Sequence, residues 1–154
     1  MPSDQPTGPR DLDWLLQGLV ERVPRTRSAI LLSSDGLAKA SHGLEADHCD
    51  SLAAVTSGLY ALARGAAGRL GDSGGVRQIM VELTDTVLFV STAGDGARLA
   101  VLADREADAA VLGHEAAQLA RSVRHHLATP ARQPSQNLRG AGCGFSAPPA
   151  AEPA

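Results

Sequence analysis

VRQIMVEL (Val76–Leu83), TVLFVSTA (Thr86–Ala93) and ARLAVLA (Ala97–Ala103) follow one another with only Thr84-Asp85 and Gly94-Asp95-Gly96 between them. Each run is short, aliphatic and rich in β-branched residues, and each break is too short for anything but a reversal of the chain. The reading is a three-stranded antiparallel meander. Upstream, Arg27–Ser33 and Leu37–His42 read as two further strands. Asp35-Gly36 between them is a hairpin signal, because both central positions of a type I′ turn need positive φ. The stretches outside the strands carry helical periodicity. Leu12, Leu15, Leu16, Leu19, Val20 and Val23 recur at helical spacing, with Asp11 as N-cap and Pro24 as stop. A long helix from about Asp47 to Leu70 places Leu52, Val55, Leu59, Leu62 and Ala66 on one face, with Gly71 as its terminator. A last helix from about Glu106 to Leu127 carries Leu112, Ala116, Leu119, Val123 and Leu127 inward. The order α-β-β-α-β-β-β-α, with strands clustered and helices outside them, predicts an α+β domain around one five-stranded antiparallel sheet flanked by three helices.

This domain spans residues 11–127. Of nine prolines only Pro24 falls inside it. Residues 1–10 and 128–154 are Pro-, Gly-, Ser- and Ala-rich without apolar periodicity, and read as disordered. Cys49 falls in the long helix and Cys143 in the tail, which gives no disulfide framework. No signal peptide opens the chain, and the longest aliphatic runs are about five residues against the ~20 of a membrane span, so the expectation is a cytoplasmic protein. The net charge is −3 with both signs interspersed, which offers no basic stripe for nucleic acid. Aromatics make up 3% of the chain (Trp14, Tyr60, Phe89 and Phe145), a poor supply of walls for a flavin, a haem or stacked bases. No cofactor is expected.

Enzymatic constellations are equally thin. The only lysine, Lys39, does not stand in a phosphate-binding G-x-x-x-x-G-K-[ST] loop, so the chain is not itself a P-loop GTPase. Asp72-Ser73-Gly74-Gly75 joins helix to strand, the reverse of the order that aims helix N–H groups at phosphate. His42, His48, His114, His125 and His126 form no i, i+4 ligand pair, and Ser57 and Ser91 lie in no G-x-S-x-G elbow. We therefore expect neither a metal site nor a catalytic one.

The informative feature is the other face of the long helix. At ~100° per residue, Ala54, Ser57, Gly58, Ala61, Gly65 and Gly68 cluster away from the aliphatic stripe, where a solvated helix would carry Glu, Lys or Gln. Each helical glycine costs about 1 kcal/mol relative to alanine, so something should compensate. Small side chains let another backbone approach closely, and this face reads as a protein interface. A GC-rich coding sequence, which inflates Ala and Gly everywhere, is the plain alternative. Arg64 and Arg69 flank the face as candidate partners for acidic groups. An open sheet also has two edges. Val76, Arg77, Gln78, Ile79, Met80 and Val81 form a β-rich candidate edge guarded by one positive charge, suited to pairing across a two-fold axis.

Taken in order, D-L-D-W-L-L at the first helix, S-S-D-G-L at the first hairpin, R-Q-I-M-V-E-L and L-F-V in the central strands and D-G-A-R-L-A-V-L-A-D in the last strand resemble the bacterial Roadblock/dynein light-chain family. The likeness is strongest to actinobacterial members encoded beside a small Ras-like GTPase, and covers about residues 11–127. It implies a Roadblock/profilin-like fold and a homodimer whose third strands pair and whose long helices lie side by side. It further implies a non-catalytic regulator or adaptor of a Ras-like GTPase in bacterial signalling; a sensor kinase is a further candidate partner, in a scaffold role. Some relatives reshape the GTPase, whereas an arginine finger would be a separate mechanism, for which Arg64, Arg69 and Arg77 are the candidates. A sensory ligand-binding module of PAS or GAF type, which also packs helices on an antiparallel sheet, is the alternative, and a pure scaffold is a third reading.

Overall fold

A computed structural model describes residues 12–94 and 96–127, with the side chains of 125–127 left aside. The stretches read as disordered, the Asp11 cap and Cys143 fall outside the described residues. The elements run α1 (Asp13–Arg22), β1 (Thr26–Leu32), β2 (Ala38–His42), α2 (Ala46–Leu70), β3 (Gln78–Glu82), β4 (Thr86–Thr92), β5 (Arg98–Asp104) and α3 (Ala109–Leu127). The five strands form one sheet in the order β2-β1-β5-β4-β3, and every pairing is antiparallel. The meander β3-β4-β5 and the hairpin β1-β2 are joined edge to edge by β1 against β5, Ile30 opposite Ala100.

That central pairing has apolar residues on both faces, so each face needs its own helical cover. Ala29, Leu31, Phe89, Leu99, Val101 and Ala103 pack with Leu16 and Leu19 of α1 and Leu112, Ala116, Leu119 and Val123 of α3. Ile30, Leu32, Leu88, Val90 and Ala100 point the other way and meet Cys49 and Ala53 of α2. Cys49 is a free, buried thiol. Strand alternation thus places α1 and α3 on one side of the sheet and α2 on the other.

Local chemistry sets the boundaries. α1 begins without a side-chain cap on its Leu12 N-cap. The Asp13 carboxylate instead accepts the Ser41 N–H of β2 at 3.1 Å, tying the helix to the sheet edge. Val23 closes the helix on the Leu19 carbonyl just before Pro24. Gly71 terminates α2 in the left-handed region, and the Asp72 N–H reaches back to the Ala67 carbonyl.

At two boundaries local hydrogen bonding departs from the sequence reading. The β1-β2 connection is not a two-residue type I′ turn. The Gly36 N–H bonds the Ser33 carbonyl and the Ser33 N–H bonds the Leu37 carbonyl. Only Gly36 has positive φ (+83°), and Asp35 does not. The turn is followed by a left-handed glycine, the longer-loop solution of the same reversal. α3 starts at Ala109, not Glu106, because the Asp108 carboxylate takes the N–H groups of Ala110 (2.8 Å) and Val111 (3.3 Å), the geometry of an N-cap.

A β-carbon on Gly36 would lie 2.5 Å from Ser57 Oγ in α2, in addition to the φ strain. Gly36→Ala is therefore expected to destabilise the fold by more than about 1 kcal/mol, measured as a urea midpoint shift. Ser57→Ala in the same chain should recover part of the loss, leaving the φ strain. Asp108→Ala should cost about 1 kcal/mol by removing the α3 cap.

Candidate protein interface

A helix of 25 residues is roughly 38 Å long, whereas strands of five to seven residues span roughly 16–24 Å. α2 must overshoot the sheet. Its buried residues, Cys49, Ala53 and Thr56, all lie in its first half. Tyr60 makes the next contact, its ring 4.1 Å below the Arg98 guanidinium at the start of β5, a cation–π distance.

The burial of α2 corrects the predicted inward stripe. Leu52 and Leu59 are half-buried against the cluster of Ile30, Leu32, Leu88 and Val90, as are Ile79 and Val81 of β3, but Val55 is 53% and Leu62 74% exposed, and Ala66 is exposed. The sheet face itself supplies bulk through Ile30, Leu32, Leu88 and Val90. What lies against it must therefore be small, and the helix turns Ala53 and Thr56 inward rather than its largest aliphatics. Hydrophobic size alone misleads here.

The small-residue face is exposed but is not segregated from the aliphatic stripe. Ala54, Gly58, Ala61, Arg64, Gly65 and Gly68 are exposed, and a β-carbon on Gly58, Gly65 or Gly68 would meet nothing within 4 Å. Ser57 differs, being half-buried beside Gly36. Val55 and Leu62 fall in the same outward sector, about 180–200° from Ala53. The exposed surface is thus small residues interleaved with aliphatics. Ala61, Leu62, Gly65, Ala66, Arg69 and Leu70 line a shallow concavity of about 480 Å³ along the second half of the helix.

β3 forms one edge of the sheet. The strand is shorter than the predicted run, since Val76 and Arg77 precede it and are held by Thr92, whose hydroxyl donates to the Val76 carbonyl (2.8 Å) and whose N–H donates to the Arg77 carbonyl (3.3 Å). Ile79 and Val81 are half-buried, while Gln78 and Met80 are exposed, and Leu83 just beyond is 56% exposed. The candidate residues thus gather on two adjoining surfaces, the outward face of α2 and the free edge of β3, which α2 touches. Arg64 and Arg69 lie on α2 and Arg77 at the entry to β3, all three exposed. Among the described residues no three His, Cys, Asp or Glu side chains gather as a metal site, and no helix is long and apolar enough to cross a membrane.

One five-stranded antiparallel sheet, two helices on one face and a single overlong helix on the other define an α+β domain of Roadblock type. The sequence matches the Roadblock/LC7 domain model over residues 12–103, and the chain belongs to that family. The crystal structure of a Roadblock/LC7 domain from Streptomyces avermitilis is 64% identical, covering 77% of this chain and 98% of that one with a TM-score of 0.74. Myxococcus xanthus MglB shares the fold at 17% identity (75% of this chain, 94% of that chain, TM-score 0.68). The gliding protein MglB of Thermus thermophilus does so at 19% identity (76% and 89%, TM-score 0.67). Among functionally curated proteins, none matches this sequence.

Open space beside the helix glycines gives a direct test of the face. Gly58→Ala and Gly65→Ala should each stabilise the isolated domain by about 1 kcal/mol, read from thermal or urea unfolding. A face packed closely against another chain would instead lose assembly on gaining two methyl groups, read by sedimentation.

Proposed function

We propose that this chain is a homodimeric, non-catalytic regulator or adaptor of a small Ras-like GTPase in bacterial signalling. The observation that carries the reading is the outward face of α2, where Ala54, Gly58, Ala61, Gly65 and Gly68 alternate with exposed Val55 and Leu62 in a chain of the Roadblock family. An exposed helix of this composition gains nothing from water and is intrinsically weak as a helix. A flat, small-residue surface with aliphatic anchors suits a second backbone laid close against it. The free edge of β3 supplies the complementary element, since pairing it across a two-fold axis satisfies a row of main-chain groups.

In this reading the twin subunit takes the β3 edge and the neighbouring side of α2, and the GTPase docks on the broad helical surface the dimer creates. The work on the GTPase is done by shape, holding its mobile loops in a hydrolysis-competent arrangement, rather than by a catalytic group of this chain. Family membership favours this over a PAS- or GAF-like sensory module. A sensor kinase tethered to the same dimer would make it a scaffold, without altering nucleotide turnover.

Single-turnover GTP hydrolysis by a cognate Ras-like GTPase, measured with and without this protein, tests the reading. The expected result is acceleration that Ala61→Arg abolishes by placing a long cation on the docking face. Arg64→Ala, Arg69→Ala and Arg77→Ala should each leave most of the acceleration, whereas loss of an arginine finger would remove about 10³–10⁵-fold. A bound complex with unchanged hydrolysis leaves an adaptor, and a monomeric chain that forms no complex overturns the reading.

A further inference from the structure

On the side of the sheet opposite α2, the helices leave Gln78 and Met80 of β3 exposed. Gln78 and Met80 pair with Ser91 and Phe89 of β4 and therefore point to the α3 side, where both are exposed. The uncovered strip between β3 and α3 is a cleft of about 430 Å³, within the roughly 300–1,000 Å³ range of small-molecule sites. Its floor is Phe89 and Ser91, and its helical wall is Gly113, Ala117 and Ala120. The wall lies close to the floor, since a β-carbon on Gly113 would stand in ordinary contact with the Phe89 ring at 3.7 Å. The Ser91 Oγ is buried and has no hydrogen-bond partner among the described residues.

The charge of the cleft is one-sided. Arg77, Arg121 and Arg124 line it, and among the described residues no carboxylate does. The ion pairs among the described residues engage Arg22, Arg25 and Arg27 instead, with Glu115, Glu106 and Asp104. Arg121 and Arg124 are one helical turn apart and share a face of α3. Arg124 also lies over Gly94, whose φ is +74° and where a β-carbon would come within 2.9 Å of the Arg124 Nε. In a chain of net charge −3, three guanidinium groups around a recess with an unpartnered hydroxyl at its base form a concentrated positive site. One carboxylate would need only one guanidinium fork. Three forks match the several oxygens and multiple charge of a phosphate or polyphosphate group.

We propose that this cleft binds a small phosphate-bearing molecule, the anion held by Arg121, Arg124 and Arg77, the Ser91 hydroxyl donating at the floor, and the organic part laid against Ala117, Ala120 and Phe89. The site lies apart from the α2 face and meets the β3 edge at Arg77 and Gln78.

The test is a titration of the isotopically labelled full chain with inorganic pyrophosphate at low ionic strength, followed by amide chemical shifts. Saturable shifts are expected at Ser91, Gly94 and Gly113 and not at Gly58 or Gly65. Combined Arg121→Ala and Arg124→Ala, both at exposed positions, should weaken the apparent Kd by about tenfold or more while unfolding stays unchanged. Sodium acetate at equal ionic strength should not reproduce the shifts. The proposal is overturned by absence of saturation up to about 10 mM, by equal shifts around Arg64 and Arg69, or by affinity that survives the double substitution. GTPase binding on the α2 side is untouched by these variants, so either idea can fail without the other.

Discussion

The pairing of β1 with β5 is the constraint from which the rest of the molecule follows. Ala29, Ile30, Leu31 and Leu32 lie opposite Val101, Ala100, Leu99 and Arg98, and every apolar member of that set is at most 1% exposed. A strand pair buried so completely cannot leave one face to water, and burial of aliphatic side chains on each side supplies most of the cohesion, at about 25 cal/mol per Å² of apolar surface. Two helices, of 10 and 19 residues, close one face and one helix of 25 closes the other. The arrangement centres on β1 and β5, so the cover thins outward. It is thinnest at β3, whose residues alternate between exposed and half-buried.

Most of this architecture is legible in the chain because it rests on periodicity and punctuation. The meander from Val76 to Ala103, the stop at Pro24 and the left-handed Gly71 are local signals with one cheap structural solution each. What the chain conceals is relational. Nothing near Asp35-Gly36 says that Ser57, two elements away, sits against the turn. Nothing in Glu106-Ala107-Asp108 marks the third residue as the cap until the helix axis is fixed by Leu112 and Ala116. The largest error, the inward stripe of α2, arose from equating bulk with burial. The sheet already provides the bulk, and a helix laid on it must offer Ala53 and Thr56.

The candidate surfaces were legible to different degrees. Ala54, Gly58, Ala61, Gly65 and Gly68 stand out in sequence because their composition contradicts solvent exposure, and they are exposed. The cleft on the α3 side is not legible in the sequence, although Gly113, Ala117, Ala120, Arg121 and Arg124 recur at helical spacing. Arginines on a helix read as ordinary solvated charge, and only their closure over β4 by the third dimension sets them around Phe89 and Ser91. The two surfaces differ in origin, one being the outward side of a covering helix and the other a part of the sheet left open beside β3.

The overshoot of α2 has a consequence for how the domain moves. Beyond Tyr60 no residue of α2 is fully buried, and Gly65 and Gly68 lower the helix propensity of its last turns, so these turns open at less cost than the core. Anything that docks there holds those turns closed, and part of its binding energy goes into that ordering. Affinity at this surface is therefore adjustable through residues that touch no partner at all, by altering how much of the helix is already formed before the encounter.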